Sequence, residues 1–287
     1  MSIAALVTAA LAAVAIVASR GLRQRAQAVV LPVATGVLLL ALWHLWAEST
    51  RYEIATPGEP VRTVEIFPTP DRTLVAFREL MSDGRLLRYS IASLFRVAVG
   101  FLLAAAIGIP LGLWAGWSTR ASYSINPFVQ ALRPISPLAW IPIATLAFGI
   151  RDEAAIFIIF LGSFFPIVTG TMSAVRSMPV AYVRSAHNFG LRKFELLAHV
   201  VFPAALPQII TSLRIALGVA WLVIVAAEMN AIQSGLGFLI VDARNMGMRY
   251  DLVVAAMLVI GAIGIGLDFL VRRLERIDSV RWGFTKE

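Results

Sequence analysis

Residues 179–203 read PVAYVRSAHNFGLRKFELLAHVVFP, the one long polar interruption in the apolar second half of the chain. Arg184, His187, Asn188, Arg192, Lys193 and Glu195 all fall inside it. A membrane span does not tolerate that density of charge, because each charged side chain at the bilayer centre costs at least about 2.5 kcal/mol. Nor does the stretch read as a loop. It has no proline between its ends and a single glycine. Val180, Val183 and His187, then Phe194, Leu197 and Val201, recur at helical spacing. The pattern predicts two short amphipathic helices joined at Gly190. Glycine adopts the left-handed conformation that ends a helix without steric cost, and Pro203 suits the first turn of the next helix. A helix–glycine–helix elbow between two apolar runs is a docking element for a body outside the membrane. A surface loop with no partner is the plainer alternative.

Composition supplies the membrane. Of 287 residues, 59% are hydrophobic and 15% charged, and the mean hydropathy is +0.80. Soluble domains run nearer half apolar and about a quarter charged. The chain is therefore an all-α polytopic membrane protein with one domain, and a two-domain soluble enzyme is excluded. There is no cysteine, hence no disulfide, thiolate nucleophile or cysteine-ligated metal. The three histidines, His44, His187 and His199, are too scattered for a metal site. A net charge of +8 would suggest nucleic acid in a soluble protein. Here the basic residues cluster in loops that orient the spans.

Seven spans are expected, with the N-terminus outside and the C-terminus in the cytoplasm. Residues 2–19 carry no charge and are just long enough to cross. No basic residue precedes them, which argues against a secretory signal. Arg20, Arg23 and Arg25 follow at once and mark a cytoplasmic junction. Residues 27–47 run outward, with Trp43, His44 and Trp46 near the outer interface. The polar stretch 48–87 is punctuated by Pro57, Pro60, Pro68 and Pro70. Its DRTLVAFRELM segment places Leu74, Phe77 and Leu80 or Met81 on one face, as in an interfacial helix. Residues 90–117 run inward, with Gly108, Gly112 and Gly116 four apart, a face that lets another helix approach closely. Ser118–Arg120 make an inner turn. Residues 124–149 return with Pro127, Pro134, Pro137 and Pro142. They predict a broken helix, which survives at membrane depth only against protein or a water-filled cavity. Arg151, Asp152 and Glu153 form an outer turn. Residues 154–176 run inward to the elbow, 204–232 run outward, 233–250 make a half-apolar outer excursion with Gly235, Gly237 and Gly247 that reads as a short re-entrant or gate segment, and 252–271 run inward. Arg272, Arg273, Arg276, Arg281 and Lys286 hold the tail in the cytoplasm. No tandem repeat is evident, which weighs against an inverted-repeat secondary transporter.

Arg133, Arg214 and Glu228 lie inside spans, and Arg96 near the outer part of one. Ionisable groups within the membrane face the bundle interior and are candidates for the translocation pathway. Arg133 and Arg214 could steer an oxyanion, since guanidinium meets planar oxyanions bidentately. Arg96 is the expected counter-ion of Glu228. Pairing with acids, carbonyls or lipid head groups is the structural alternative for all four. No phosphate loop, HExxH or GxSxG motif occurs, and no nucleophile–base arrangement can be placed. The chain is read as having no catalytic centre.

The elbow resembles the EAA loop of permease subunits of ATP-binding-cassette importers: Glu-Ala-Ala, three residues, Gly, nine residues, an aliphatic, any residue, Leu, Pro. Gly190 takes the glycine, Val200 the aliphatic position and Pro203 the proline, without a gap. Ala186 matches, whereas Arg184 stands for the Glu, Ser185 for the first Ala and Phe202 for the Leu. LRPISPLAWIPIA at 132–144, residues 202–229, GLGFLIVDARN at 235–245 and FPTP at 67–70 are similar to the nitrate/sulfonate/taurine/bicarbonate branch.

The resemblance implies a type I importer transmembrane domain of the MetI-like kind. It divides the chain into an extra N-terminal helix (1–26), a first core span with an extracytoplasmic loop and surface helix (27–87), a permease core (88–273) and a cytoplasmic tail (274–287). It further implies two permease copies in a bacterial inner membrane and an extracytoplasmic binding protein that delivers a small anion. Separate ATPase subunits hold ATP and magnesium, with no cofactor in this chain. The coupling residues would be Arg184, Ser185, Ala186, His187, Gly190 and Pro203. Residues 184–190 would enter the ATPase, and 192–203 would transmit its motion. The competing readings are a self-contained secondary transporter or channel, for which the elbow has no purpose, and an intramembrane enzyme, which lacks an acid or histidine cluster.

Overall fold

The computed structural model describes residues 8, 9, 11, 16, 24–54, 62–65 and 67–274. The span expected over 2–19 falls, but for those isolated positions, outside the described residues, as does the tail beyond 274. Apart from one short ribbon the described chain is helical. Helix α1 is Gln24–Ser49. Strands β1 (Arg51–Ile54) and β2 (Arg62–Glu65) pair antiparallel, Arg51 opposite Glu65. Next come α2 (Pro70–Ser82), α3 (Arg85–Trp117) and α4 (Thr119–Leu132). A 3₁₀ turn at Pro137–Trp140 precedes α5 (Ile141–Phe148) and α6 (Asp152–Arg176). The elbow comprises α7 (Val180–Asn188), α8 (Lys193–Leu196) and a π-turn at Leu197–Val201. Then follow α9 (Phe202–Ala231), α10 (Leu236–Asn245) and α11 (Tyr250–Leu274).

Five helical runs are long and apolar enough to cross a membrane: Gln27–Ser49, Arg85–Trp117, Asp152–Arg176, Phe194–Asn230 and Tyr250–Arg273. A sixth, α4 with residues 137–148, is bent by 85°. These runs lie within the stretches read as spans, and the bend, in a broken span or a re-entrant loop, lies where the proline density predicted a broken helix. Pro134 lacks the N–H that would continue α4.

The chain divides into two compact units, Met1–Arg85 with Asp242–Leu258, and Leu86–Val241 with Val259–Glu287. In the first, the Trp43 indole donates to the Pro68 carbonyl at 3.0 Å, and Phe67 lies against the rings of Trp43 and Trp46. These contacts seat the FPTP segment on α1. Helix α2 keeps Leu74, Phe77 and Met81 together on one outward face, as an interfacial helix would. Its buried residues are Thr73, Ala76 and Leu80. The small side chains bring the helix close to protein and leave the large ones outward. Arg249 joins α2 to the start of α11 through Glu79 (2.7 Å) and Asp251 (2.9 Å). Those carboxylates hold its guanidinium above the usual pKa.

In the second unit the small-residue face of α3 meets α6. A Cβ on Gly112 would fall 2.7 Å from the Thr171 Cβ, and one on Gly116 would fall 2.7 Å from the Val175 Cβ. Ala104 completes the row, fully buried. This is the close approach that the four-residue glycine spacing predicted. Helix α6 also carries α9, with Gly170 directly under Ser212. Helix α9 in turn reaches α11, where the Trp221 indole donates to the Ile260 carbonyl at 3.0 Å.

Candidate functional site

The elbow is built by local chemistry. Helix α7 ends with the Leu191 N–H donating to the Ala186 carbonyl (3.2 Å) and the Gly190 N–H donating to the His187 carbonyl (3.0 Å). That pair of bonds is the Schellman motif, which needs a left-handed residue at its turn. Gly190 supplies it at φ +79°. The second arm starts with the Arg192 N–H donating to a Glu195 carboxylate oxygen (3.4 Å) and the Glu195 N–H returning to the Arg192 carbonyl (2.8 Å). The side chain three residues on thus caps the helix start. The π-turn carries α8 into α9 without a break, so Pro203, expected to open a new helix, lies inside one helical run from 194 to 230. The π-turn itself is not signalled by the sequence pattern.

Three spans root the elbow. Ala186, Leu196 and Val201 are buried with Ala174 and Val175 of α6 and with Ala205 and Ile209 of α9. Ile109 and Leu113 of α3 pack on the same cluster. Of the residues expected at helical spacing, Val183, Leu197 and Val201 turn to this cluster, whereas Val180, His187 and Phe194 are exposed and Ala186 and Leu191 lie inward in their stead. The reason is the cap: a Schellman turn packs the residue after the glycine against the helix's last turn. That contact draws Ala186 inward and turns His187 out.

What the elbow leaves outside is aromatic and basic. Phe189 and Phe194 are 86% and 80% exposed. Arg184, Ser185, His187 and Arg192 are exposed beside them. A cleft of about 730 Å³ opens between these arms, lined by Trp117, His187, Arg192, Phe194 and Glu195 among others. The six residues expected to couple therefore lie on one continuous structure. Ala186 is its buried anchor, Gly190 its turn and Pro203 its junction with α9.

The three pathway candidates occupy three different settings. Arg133 caps α4 at the bend and is exposed, with no acidic partner among the described residues. The Arg214 Nε donates to Asp268 Oδ1 at 2.7 Å, and Arg272 donates to the other oxygen of the same carboxylate at 2.8 Å. Glu228 is fully buried. It accepts from the Arg96 Nη1 at 2.6 Å, so the expected counter-ion is the one found. Asp268 was missed, although it stands four residues before Arg272, the spacing of a helical ion pair. Ser93 was missed too, although it shares a helix face with Arg96. Among the described residues no group of three His, Cys, Asp or Glu side chains could hold a metal.

The family described as "binding-protein-dependent transport system inner membrane component" matches residues 108–277. A bicarbonate transport system permease protein of Synechococcus elongatus is 39% identical over 261 residues, covering 88% of this chain and 91% of its own. A nitrate import permease protein of Synechocystis is 35% identical over 250 residues, covering 87% and 89%. Among solved structures, the inward-facing MetNI methionine ABC transporter shares the fold, with a TM-score of 0.55 at 19% identity. That match covers 64% of this chain and 92% of the solved one.

Proposed function

The chain belongs to the family of binding-protein-dependent transport system inner membrane components, and from that premise we propose how this ABC importer permease works. It is a multi-pass membrane subunit without catalytic chemistry of its own. In our reading it lies in the bacterial cytoplasmic membrane with the elbow on the cytoplasmic side, paired with a second copy. An ATPase subunit receives the elbow, and an extracytoplasmic binding protein presents the solute. ATP and magnesium belong to the ATPase. The solute is a small anion of the bicarbonate, nitrate or sulfonate type, the reading favoured by the names of the relatives. Those include a protein of Bacillus subtilis described as "putative aliphatic sulfonates transport permease protein", 35% identical over 225 residues.

The observation that carries this reading is the two-sidedness of the elbow. Its inner side is packed on α3, α6 and α9, so force applied to it reaches three spans at once. Its outer side presents Phe189, Phe194 and Arg184 with nothing over them. Arg184 occupies the position where the family pattern has an acid, which calls for an acidic partner group on the ATPase. For the pathway, Arg133 is the guanidinium best able to meet an anion, because it stands at the broken span. Arg214 is already occupied by Asp268.

The test is ATP-driven uptake of labelled bicarbonate, nitrate and an alkanesulfonate into vesicles holding the permease with its cognate ATPase and binding protein. Uptake of one anion is expected, and it should be abolished by Gly190→Val, since a β-branched residue is strained at positive φ. Arg133→Met should slow uptake without dissociating the complex. Normal uptake by Gly190→Val would remove the elbow from the mechanism.

A further inference from the structure

The elbow makes no use of the group at the other end of α9. There the Glu228 carboxylate is 0% exposed and its partner Arg96 is 1% exposed. The carboxylate is held from several sides. It accepts from the Arg96 Nη1 (2.6 Å), the Ser93 hydroxyl (2.8 Å) and the Gly237 N–H (2.9 Å). The Arg96 guanidinium is held in turn by Asp152 (2.8 Å), by the Ser234 carbonyl (3.0 Å) and by the Ser234 hydroxyl. The Leu236 N–H donates to the Ser93 hydroxyl at 3.0 Å. One buried pair thus ties α3, the first turn of α6, the end of α9 and the turn at 234–237. Glycine makes the room. At Gly235, where φ is +103°, a Cβ would collide with the Glu228 carboxylate.

A buried ion pair is poor glue. Its desolvation cost offsets most of the attraction, and well-packed apolar side chains often stabilise as much. What the pair supplies is a geometry that holds only while every partner is in place. The position matters as much as the chemistry. Counting 1.5 Å per residue from Phe202, Glu228 stands about 40 Å along α9 from the elbow. The helix is continuous between them. A displacement at the elbow therefore arrives at Glu228. Asp152 is half exposed, so water can enter the network when it parts.

We propose that Arg96 and Glu228 form a clasp that closes the 234–237 turn over the far end of α9, and that it parts and re-forms in every transport cycle. Glu228 is then a positioning residue for the gate opposite the elbow. This rests on the permease reading above, and its test separates the two. The chain has no cysteine, so a single reporter can be placed without background. Ile232, 8% exposed at the end of α9, is suitable. In vesicles holding the permease alone, a water-soluble maleimide should label Ile232→Cys slowly. Adding Glu228→Gln should raise the rate about tenfold or more, as local opening becomes cheaper, while Glu228→Asp should raise it less. Equal rates in all three overturn the clasp.

In the complex with the ATPase, turnover should speed labelling of the otherwise unchanged Ile232→Cys protein. A constant rate during measured uptake overturns the cycle. Glu228→Gln should retain ATP hydrolysis while uptake falls about tenfold, with Glu228→Asp recovering part of it. Hydrolysis and uptake lost together in proportion would mark a purely structural pair and overturn the proposal. If the unmodified complex hydrolyses ATP and takes up nothing, the permease reading fails, and labelling of the permease alone still judges the clasp.

Discussion

The two ends of α9 treat polarity in opposite ways. At the elbow the reactive surface faces out: Phe189 and Phe194 are uncovered, Arg184 is exposed, and only small or aliphatic side chains turn inward. At the Glu228 end the charge is inside and each polar group meets another of the same chain. A surface that works by meeting another body must keep its contact chemistry unsatisfied until that body arrives. A joint that works within its own chain must satisfy its groups internally, because an unpaired buried charge is too costly to keep.

The sharpest way to break this contrast is Arg96→Met, which strands a buried carboxylate. It should destabilise the isolated permease by about 3–5 kcal/mol, read as thermal unfolding in detergent. Removing both partners, Arg96→Met with Glu228→Leu, should cost less than that single change. A single change without effect would mean that Glu228 does not depend on Arg96. Next in size is the pair Phe189→Ser and Phe194→Ser. Loss of two exposed aromatic anchors should weaken ATPase binding by about 2 kcal/mol or more, with unfolding of the permease alone unchanged. A lowered melting temperature would place those rings in the fold rather than at a contact. Gly190→Ala should cost about 1–2 kcal/mol, the penalty of a side chain in the left-handed region, and Gly190→Asn less. The smallest effect is expected from Asp268→Asn. Both side chains of the Arg214–Asp268 pair are only partly buried, and the Asn amide oxygen can still accept from one of the two guanidinium groups. A clear drop in melting temperature would promote this pair to the rank of the clasp.

The unequal legibility of the two sites has a physical cause. The elbow is encoded within 25 consecutive residues by signals that act locally: a glycine where the chain must turn left-handed and a proline that suits a helix start. The glycine locates the turn, whereas Pro203 lies inside the helical run 194–230 rather than at its start. The helical repeat locates part of the buried face, Val183, Leu197 and Val201, while at the turn the cap contact between Leu191 and Ala186 outweighs it. In helix α2 the large residues Leu74, Phe77 and Met81 share the outward face that the sequence pattern gives, and the small Thr73 and Ala76 face the protein. The clasp draws on positions 93, 96, 152, 228, 234 and 237, brought together by folding. Two opposite charges at one membrane depth were enough to pair Arg96 with Glu228. The glycines at 235 and 237 marked a re-entrant or gate segment, but nothing short-range tied them or Asp152 to that pair. The ribbon at 51–65 was not foreseen among the punctuating prolines, whereas the broken span was, because proline acts on its own helix.

The glycine row of α3 has a mechanical consequence. Where Gly112 and Gly116 rest on Thr171 and Val175 there is no layer of long side chains to shear, so α3 and α6 cannot slide past each other without lifting apart. Two rods bonded along their length bend as one thicker beam, and the stiffness of such a beam grows faster than the number of rods. With the elbow seated on its near end and Arg96 and Asp152 at its far end, this beam is the fixed frame against which α9 is measured.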